Sequence, residues 1–296
     1  MINSGAEEAL RQRIMASLAE RTAHNGGVIT RAELSDFSVA PGERRRLIDT
    51  SRGIWNPRDM AATLTVVSSP DGPYADREVE GGLFRYDYRA GSDQGDNTKL
   101  RRAAELGLPL ILLRKIAAGV YVPIFPVFVV SDDPSRKQFL IALDESLRFL
   151  RDPLHPTAAE RRYAERVVRQ RLHQPEFRGR VIRAYETRCA ICRLRHGELL
   201  DAAHIRPDSK GGMPIVSNGL AMCKIHHAAY DEDFLSVDPD YVIHIKPSLL
   251  EEHDGPMLLH GLQELHQHTI EVPRARAERP DPTLLDERHR VFLASA

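Results

Sequence analysis

Apolar and polar positions along this 296-residue chain follow two different periods, and the places where one gives way to the other divide it into regions. Residues 5–23 have helical spacing and predict an amphipathic helix. "ITRAELSDF" follows, with Thr30 placed as an N-cap and Glu33 three residues on, a capping-box spacing. The period then shortens. "ATLTVVSS" is rich in β-branched residues, "GLFRYDYRA" alternates apolar and polar, and "PLILLRKI" and "VYVPIFPVFVV" read as strands joined in a hairpin at Gly119. "AGSDQGDNTK" reads as a polar loop, so residues 45–145 are expected to be mainly β. Helical spacing returns near residue 150, where Pro153 and Pro156 break the chain and Thr157 can cap. A further helix over "PEFRGRVIRAY" has Pro175 in its first turn. "DAAHIRP" is strand-like, "SNGLAMC" predicts a helix from Asn218 through His227, "YVIHIK" reads as a strand and "DPTLLDERHRVFLA" as a terminal helix. The fold class expected is α+β: a helical segment over 1–42, a mainly β domain over 43–150, a helical arginine-rich linker over 151–184 and a mixed domain over 185–296.

Composition narrows this little. With 42% hydrophobic residues the chain can bury a large core, and no run of about eighteen apolar residues exists, so a membrane span is not expected. Three cysteines make an odd number for a disulfide framework, and "MINSGAEEALRQR" lacks the apolar stretch of a signal peptide, which makes a reducing cytoplasm the expected compartment. The formal net charge is −1, but from Pro156 to Leu200 eleven arginines face five glutamates. One face is therefore expected to be positive and to contact a polyanion's backbone, without sequence choice.

All three cysteines fall in "ETRCAICRLRHGELLDAAHIRPDSKGGMPIVSNGLAMCKIHH". Cys189 and Cys192 form C-x2-C, Cys223 and His226 form C-x2-H, and thirty residues separate the pairs. Two knuckles of equal spacing supply four ligands, which fits a tetrahedral structural Zn2+ better than core filling by unrelated cysteines. His227 follows a ligand directly and cannot turn to the same small ion without strain, so it must serve something else. With His204 on a strand and His227 on a helix, a ββα unit would bring the two rings together, the zinc tying its arms.

The pattern His204, Asn218, His227 within C-x2-C…C-x2-H resembles the HNH nuclease family of the ββα-metal fold, over roughly residues 185–235. The resemblance implies phosphodiester hydrolysis in DNA. His204 would be the general base, His227 would hold a catalytic Mg2+ or Mn2+, and Asn218 would position the loop that carries the base. Many members place a second metal ligand just before the base; here that residue is Ala203, and Asp201, two residues back along the strand, is the expected replacement. Arg206 could reach a phosphate, whereas His173 and His196 are expected to be ordinary histidines.

Residues 81–130 resemble, more loosely, the modified-base readers of the SET- and RING-associated (SRA) type in the PUA-like superfamily, which precede HNH nucleases in modification-dependent restriction enzymes. That implies double-stranded DNA carrying 5-methyl- or 5-hydroxymethylcytosine as the partner and a flipped base as the ligand. Tyr86 or Tyr88 would stack on that base and Asp87 or Asp96 read its edge, with Trp55 and Tyr74 in reserve. Cutting both strands with one site per chain calls for two copies, so a homodimer is expected. Two other readings remain open: an HNH DNase of different or no modification specificity, and a non-catalytic zinc-stapled DNA-binding protein.

Overall fold

The computed structural model describes residues 4–69, 83–88, 94–150, 152 and 157–295. Tyr74, Pro153, Pro156 and the start of "AGSDQGDNTK" lie outside them. Two compact units emerge, residues 1–23 with 27–176 and residues 24–26 with 177–296.

In the first unit the order is α1 (Ser4–His24), β1 (Ile29–Thr30), α2 (Arg31–Ser35), β2 (Phe37–Ala40), β3 (Glu43–Arg45), β4 (Ile54–Trp55), β5 (Thr65–Ser68), β6 (Phe84–Asp87), α3 (Asp96–Glu105), β7 (Leu110–Ala117), β8 (Val120–Asp133), β9 (Gln138–Ala142) and α4 (Ala158–Val168). The seven-stranded sheet runs β4-β5-β7-β8-β9-β6, with β1 added to β8; only β5 and β7 pair in parallel. β7 shows why "LPLILL" is apolar without alternation. Leu110 and Leu112 face one core with Phe84, Phe139 and Leu172, while Ile111 and Leu113 face another with Ile14, Leu18 and Tyr121 of α1 and β8. A strand covered on both faces has no polar side to display. The capping boxes at Thr30 and Thr157 form as the sequence predicts, each hydroxyl accepting from the backbone N–H of Glu33 or Glu160.

Two expectations need correction. The polar stretch "GDNTK" begins helix α3 rather than continuing a loop; Gly95 at its N-terminus, φ +71, provides no side-chain cap, so the usual start signal is missing. Asn97, Leu100 and Ala103 of α3 are buried, so the helix is fixed by packing, not by propensity.

A buried ion pair locks α1 in place. The Arg11 guanidinium donates to Glu7, and also to the carbonyls of Thr63 (2.8 Å), Pro109 (2.7 Å) and Ala62 (3.0 Å), while the other Glu7 oxygen accepts from the Ala61 N–H (2.8 Å). Burial draws the Arg11 pKa down, with Glu7 working against that shift.

The second unit begins within α5 (Gln174–Ala184), of which it holds the part from Phe177 on, and contains β10 (Leu200–His204), β11 (Gly219–Cys223), α6 (Lys224–Asp231), β12 (Leu235–Val237), β13 (Ile243–Ile245), α7 (Pro247–Leu250), α8 (Pro256–Gly261) and α9 (Pro282–Ser295). β10 and β11 pair antiparallel, with His204 opposite Gly219 and Leu200 opposite Cys223. Here lies the second correction. No helix starts at Asn218; "GLAMC" is a fully buried strand, and α6 begins only at Lys224. The ββα order is kept. Among the described residues no helix is long and apolar enough to cross a membrane.

Removing one partner of the Arg11–Glu7 pair strands a buried charge. Glu7→Ala should cost about 3–5 kcal/mol, read as a lower urea midpoint at unchanged slope, while the apolar double variant Glu7→Leu/Arg11→Met should recover most of it. Equal losses in the two variants would show that the pair carries no such strain.

Candidate active site and metal cluster

The four zinc-type ligands meet where the sequence places them. Among the described residues the ligand atoms of Cys189, Cys192, Cys223 and His226 lie within 4.8 Å of one another, and no other group of three or more His, Cys, Asp or Glu side chains does so. Cys223 Sγ stands 3.1 Å and Cys189 Sγ 3.6 Å from His226 Nδ1, with Cys192 and Cys223 Sγ 4.0 Å apart. A tetrahedral ion with Zn–S and Zn–N bonds of about 2.3 and 2.0 Å requires edges of roughly 3.4–3.8 Å, which the observed distances bracket, so the cluster can hold a metal such as zinc. His226 Nε2 donates to the Gly261 carbonyl at 2.7 Å; because a carbonyl only accepts, Nδ1 is left free to bind metal. Hydrogen bonds from Cys189 and Cys192 draw the Cys223 thiol down toward the thiolate.

The zinc-type cluster joins β11 and the start of α6 to the Cys189–Cys192 knuckle, and the candidate catalytic residues sit around the same hairpin. His204, the last residue of β10, stacks on Phe177 of α5 with ring centroids 4.0 Å apart and 17° between planes. This fixes the plane of the imidazole. Phe177 also explains Gly219: a Cβ there would come 2.5 Å from Val181 Cγ2 and 2.9 Å from Phe177 Cζ. Burial holds the His204 pKa below its ordinary value; Asp208 and Asp231 pull it back up, and the charge of His227 pushes it further down. The ring is therefore neutral near pH 7, as a proton acceptor must be.

Asn218 is buried and ties both ends of the loop that follows His204. Its Oδ1 accepts from the Arg206 N–H at 2.8 Å, and its Nδ2 donates to the carbonyls of Arg206 (3.0 Å) and Met213 (2.9 Å). Gly212 is required in that loop, since a Cβ would fall 1.8 Å from the Arg206 carbonyl oxygen. The Arg206 side chain is engaged by Glu287 of α9, with Nε to Oε2 at 3.0 Å.

His227 lies on α6 between two carboxylates, Nδ1 3.9 Å from Asp201 Oδ2 and Nε2 3.4 Å from Asp231 Oδ2. The Asp201 carboxylate is the main cause of its raised pKa. Asp201 in turn is held well below the usual carboxylate range, first by His227 and then by Lys224 (2.8 Å) and Arg178. An ionised carboxylate beside an imidazole, with no thiolate, is a donor pair that can hold a divalent cation.

The sequence reading had not singled out Asp231, Lys224, Phe177 or Arg178. Asp231 was findable, because it stands four residues from His227 on one helix face. Phe177 and Arg178 reach the site from α5, where Arg178 donates to the Gly197 (2.8 Å) and Leu200 (2.7 Å) carbonyls; nothing local in the sequence announces that. The nominated base-reading residues are placed in the first unit's framework. Tyr86 and Tyr88 are buried, with the Tyr86 hydroxyl donating to the Gly53 carbonyl (3.0 Å) and that of Tyr88 to Asp132. Asp87 accepts from Gln138 (2.7 Å) and Asp96 from Asn56 (3.0 Å). Trp55 is half-buried, its indole N–H donating to the Arg46 carbonyl (2.8 Å).

Residues 189–238 match the family model described as HNH endonuclease. No curated protein matches the chain. Of solved structures, the "Modification dependent TagI restriction endonuclease" is 17% identical, covers 82% of this chain and 86% of its own, and has a TM-score of 0.31. The "Type IV phosphorothioation-dependent restriction endonuclease ScoMcrA" is 14% identical, covers 81% of this chain and 56% of its own, at a TM-score of 0.23. The HNH endonuclease match, on the stretch that holds the cluster and both histidines, marks the chain as a nuclease.

The protein should purify with one equivalent of zinc, measurable by atomic emission. Cys223→Ser should lose the metal together with the cooperative thermal transition of the second unit, because structural zinc binding is folding free energy. A zinc-free Cys223→Ser protein with an unchanged transition would show that the cluster holds no structural ion.

Proposed function

We propose that the protein is a restriction-type DNA endonuclease that hydrolyses phosphodiester bonds in duplex DNA carrying modified cytosine. The observation that carries the nuclease reading is the placement of a stacked His204 at the end of β10 and a carboxylate-flanked His227 on α6, near enough that the charge of His227 lowers the His204 pKa, beside the Cys3His cluster. The specificity for 5-methyl- or 5-hydroxymethylcytosine rests on the resemblance of residues 81–130 to SRA-type readers, with 43–150 as reader and 185–296 as nuclease domain.

In this reading His204 accepts the proton of the attacking water, and its stacking on Phe177 spares the ring any reorientation. Asn218 positions it by stapling the loop that leaves the strand. A Mg2+ or Mn2+ held by Asp201 and His227 would stabilise charge on the scissile phosphate and the departing oxygen, while Asp231 lies on the other ring nitrogen of His227. Arg161, Arg162 and Arg166 of the first unit, and Arg183 and Arg195 of the second, are exposed and have no carboxylate within ion-pair distance among the described residues, so each unit offers positive groups to the DNA backbone. A homodimer would place two such sites on opposite strands.

Digestion of matched plasmids, unmodified or bearing 5-methylcytosine or 5-hydroxymethylcytosine, tests each part. Wild type should cut only the modified DNA, and His204→Ala should be slower by about 10²–10⁴-fold. Cutting of both plasmids would remove the modified-base reading and leave the nuclease; equal activity in His204→Ala would remove the base.

The rate should also respond to pH in a way set by two imidazoles. His204 is neutral, and competent, above a pKa depressed below 6.5, so at saturating ion the rate should persist as pH falls through 6.5 and decline only lower. Protons compete with the ion for His227, whose pKa is raised, so at limiting Mn2+ the decline should begin at higher pH. An acid limb that does not move with ion concentration would contradict this assignment.

A further inference from the structure

Away from the nuclease hairpin, the first unit contains a cleft of about 670 Å3, open to solvent, between the β2–β3 hairpin and the β4 segment. Arg44, Arg45, Arg46 and Arg58 line it together with Trp55 and two carboxylates, Glu43 and Asp59. We propose that this cleft docks the sugar-phosphate backbone of DNA, Arg46 and Arg58 each holding a phosphate. The proposal rests on the nuclease reading for its choice of polyanion.

The pairing of charges within the cleft leads to this assignment. Arg45 is neutralised twice, by Asp59 at 2.8 Å and Glu43 at 3.5 Å, and Arg44 pairs with Asp36. These two are walls. Arg46 and Arg58 are exposed, and among the described residues neither has a carboxylate within ion-pair distance. The acid that feels Arg46 is Asp49, whose carboxylate is already occupied in accepting from the N–H groups of Ser51 (2.9 Å) and Arg52 (2.8 Å). Two cations at the mouth of a cleft, with their local acids committed elsewhere, leave charge for a ligand to neutralise.

The frame around them is stiff, as a backbone-reading surface needs to be. The hairpin is pinned to α1 by Ser17, which donates to the Ser38 carbonyl at 3.1 Å, and by Arg13, which pairs with Glu43 at 2.8 Å. The chain beyond Arg46 is held by Arg31, which donates to the carbonyls of Asp49 (2.8 Å) and Thr50 (2.6 Å). The Trp55 indole N–H is spent on the Arg46 carbonyl, so the ring fixes the backbone that carries this arginine and presents an apolar wall rather than a donor. An open groove with an apolar wall and two free guanidinium groups suits an extended phosphodiester strand more than an enclosed small anion.

The test is binding by the full-length protein in a His204→Ala background, so that DNA is retained uncut. Affinity for a fluorescent duplex carrying the modified base is followed by anisotropy across a salt series. Each lost phosphate contact removes about 0.9 from the slope of log affinity against log salt, so Arg46→Gln/Arg58→Gln should lower the slope by nearly two and affinity near 0.1 M salt by roughly ten- to a hundred-fold. Each single substitution should remove about half the slope change. Arg102→Gln/Arg136→Gln, which removes the same charge from the same unit at residues paired with Glu105 and Asp133, should leave the slope unchanged. A normal slope in Arg46→Gln/Arg58→Gln, or an equal fall in the control pair, overturns the cleft while DNA binding itself stands. Absence of salt-dependent binding in the His204→Ala parent overturns the DNA reading, and the cleft with it. Thermal transitions matching the parent show that the exposed substitutions leave the fold intact.

Discussion

Two histidines side by side on one helix cannot point the same way. Successive residues of α6 diverge by about 100° around its axis, so once the Cys3His cluster claims His226, the direction of His227 is set. His226 turns inward, bonded between the thiols and the Gly261 carbonyl. His227 turns to the carboxylates of Asp201 and Asp231. The orientation of a half-exposed functional side chain is thereby fixed by a buried structural one, and the stiffness of a four-ligand clamp passes to the neighbouring site through one peptide bond.

The strand pairing extends this control to the other imidazole. Because Cys223 stands opposite Leu200 and Gly219 opposite His204, the register that delivers Cys223 to the cluster also sets where His204 ends its strand. A slip of one residue would turn every side chain of the hairpin over. The residue opposite His204 must be small, since Phe177 and Val181 occupy the space that a Cβ would take. The same Phe177 ring that excludes a side chain at Gly219 supports the His204 imidazole, so packing and chemistry share one contact.

Much of this site can be read from the sequence, and the parts that cannot have a common cause. The cysteine knuckles are legible because metal geometry imposes short, regular spacing, and Asp201 because a strand brings second neighbours to one side. The extent of α6 was misjudged because "GLAMC" is apolar throughout, and an apolar run without periodicity serves equally as buried strand or buried helix. Helix α3 escaped notice for the opposite reason: its start is polar and uncapped, and its burial depends on partners far along the chain. Phe177 and Arg178 belong to the same class. Their contacts with His204 and with the Leu200 carbonyl span more than twenty residues, a distance at which local pattern is silent.

Net charge is a poor guide to this molecule for a related reason. The formal total of −1 sums over groups that neutralise each other at short range, and what remains for a partner is decided pair by pair. Arg171 is taken by Asp144 (2.9 Å), Arg193 by Glu271 (2.5 Å) and Arg206 by Glu287. Arg161, Arg162 and Arg166 on the exposed face of α4 have no carboxylate at such range among the described residues, and helix geometry keeps them there, because Ala164, Val167 and Val168 bind the other face to the core. A near-neutral chain can thus present a basic surface of fixed position. The acids that balance it are not removed from the protein; they are already occupied.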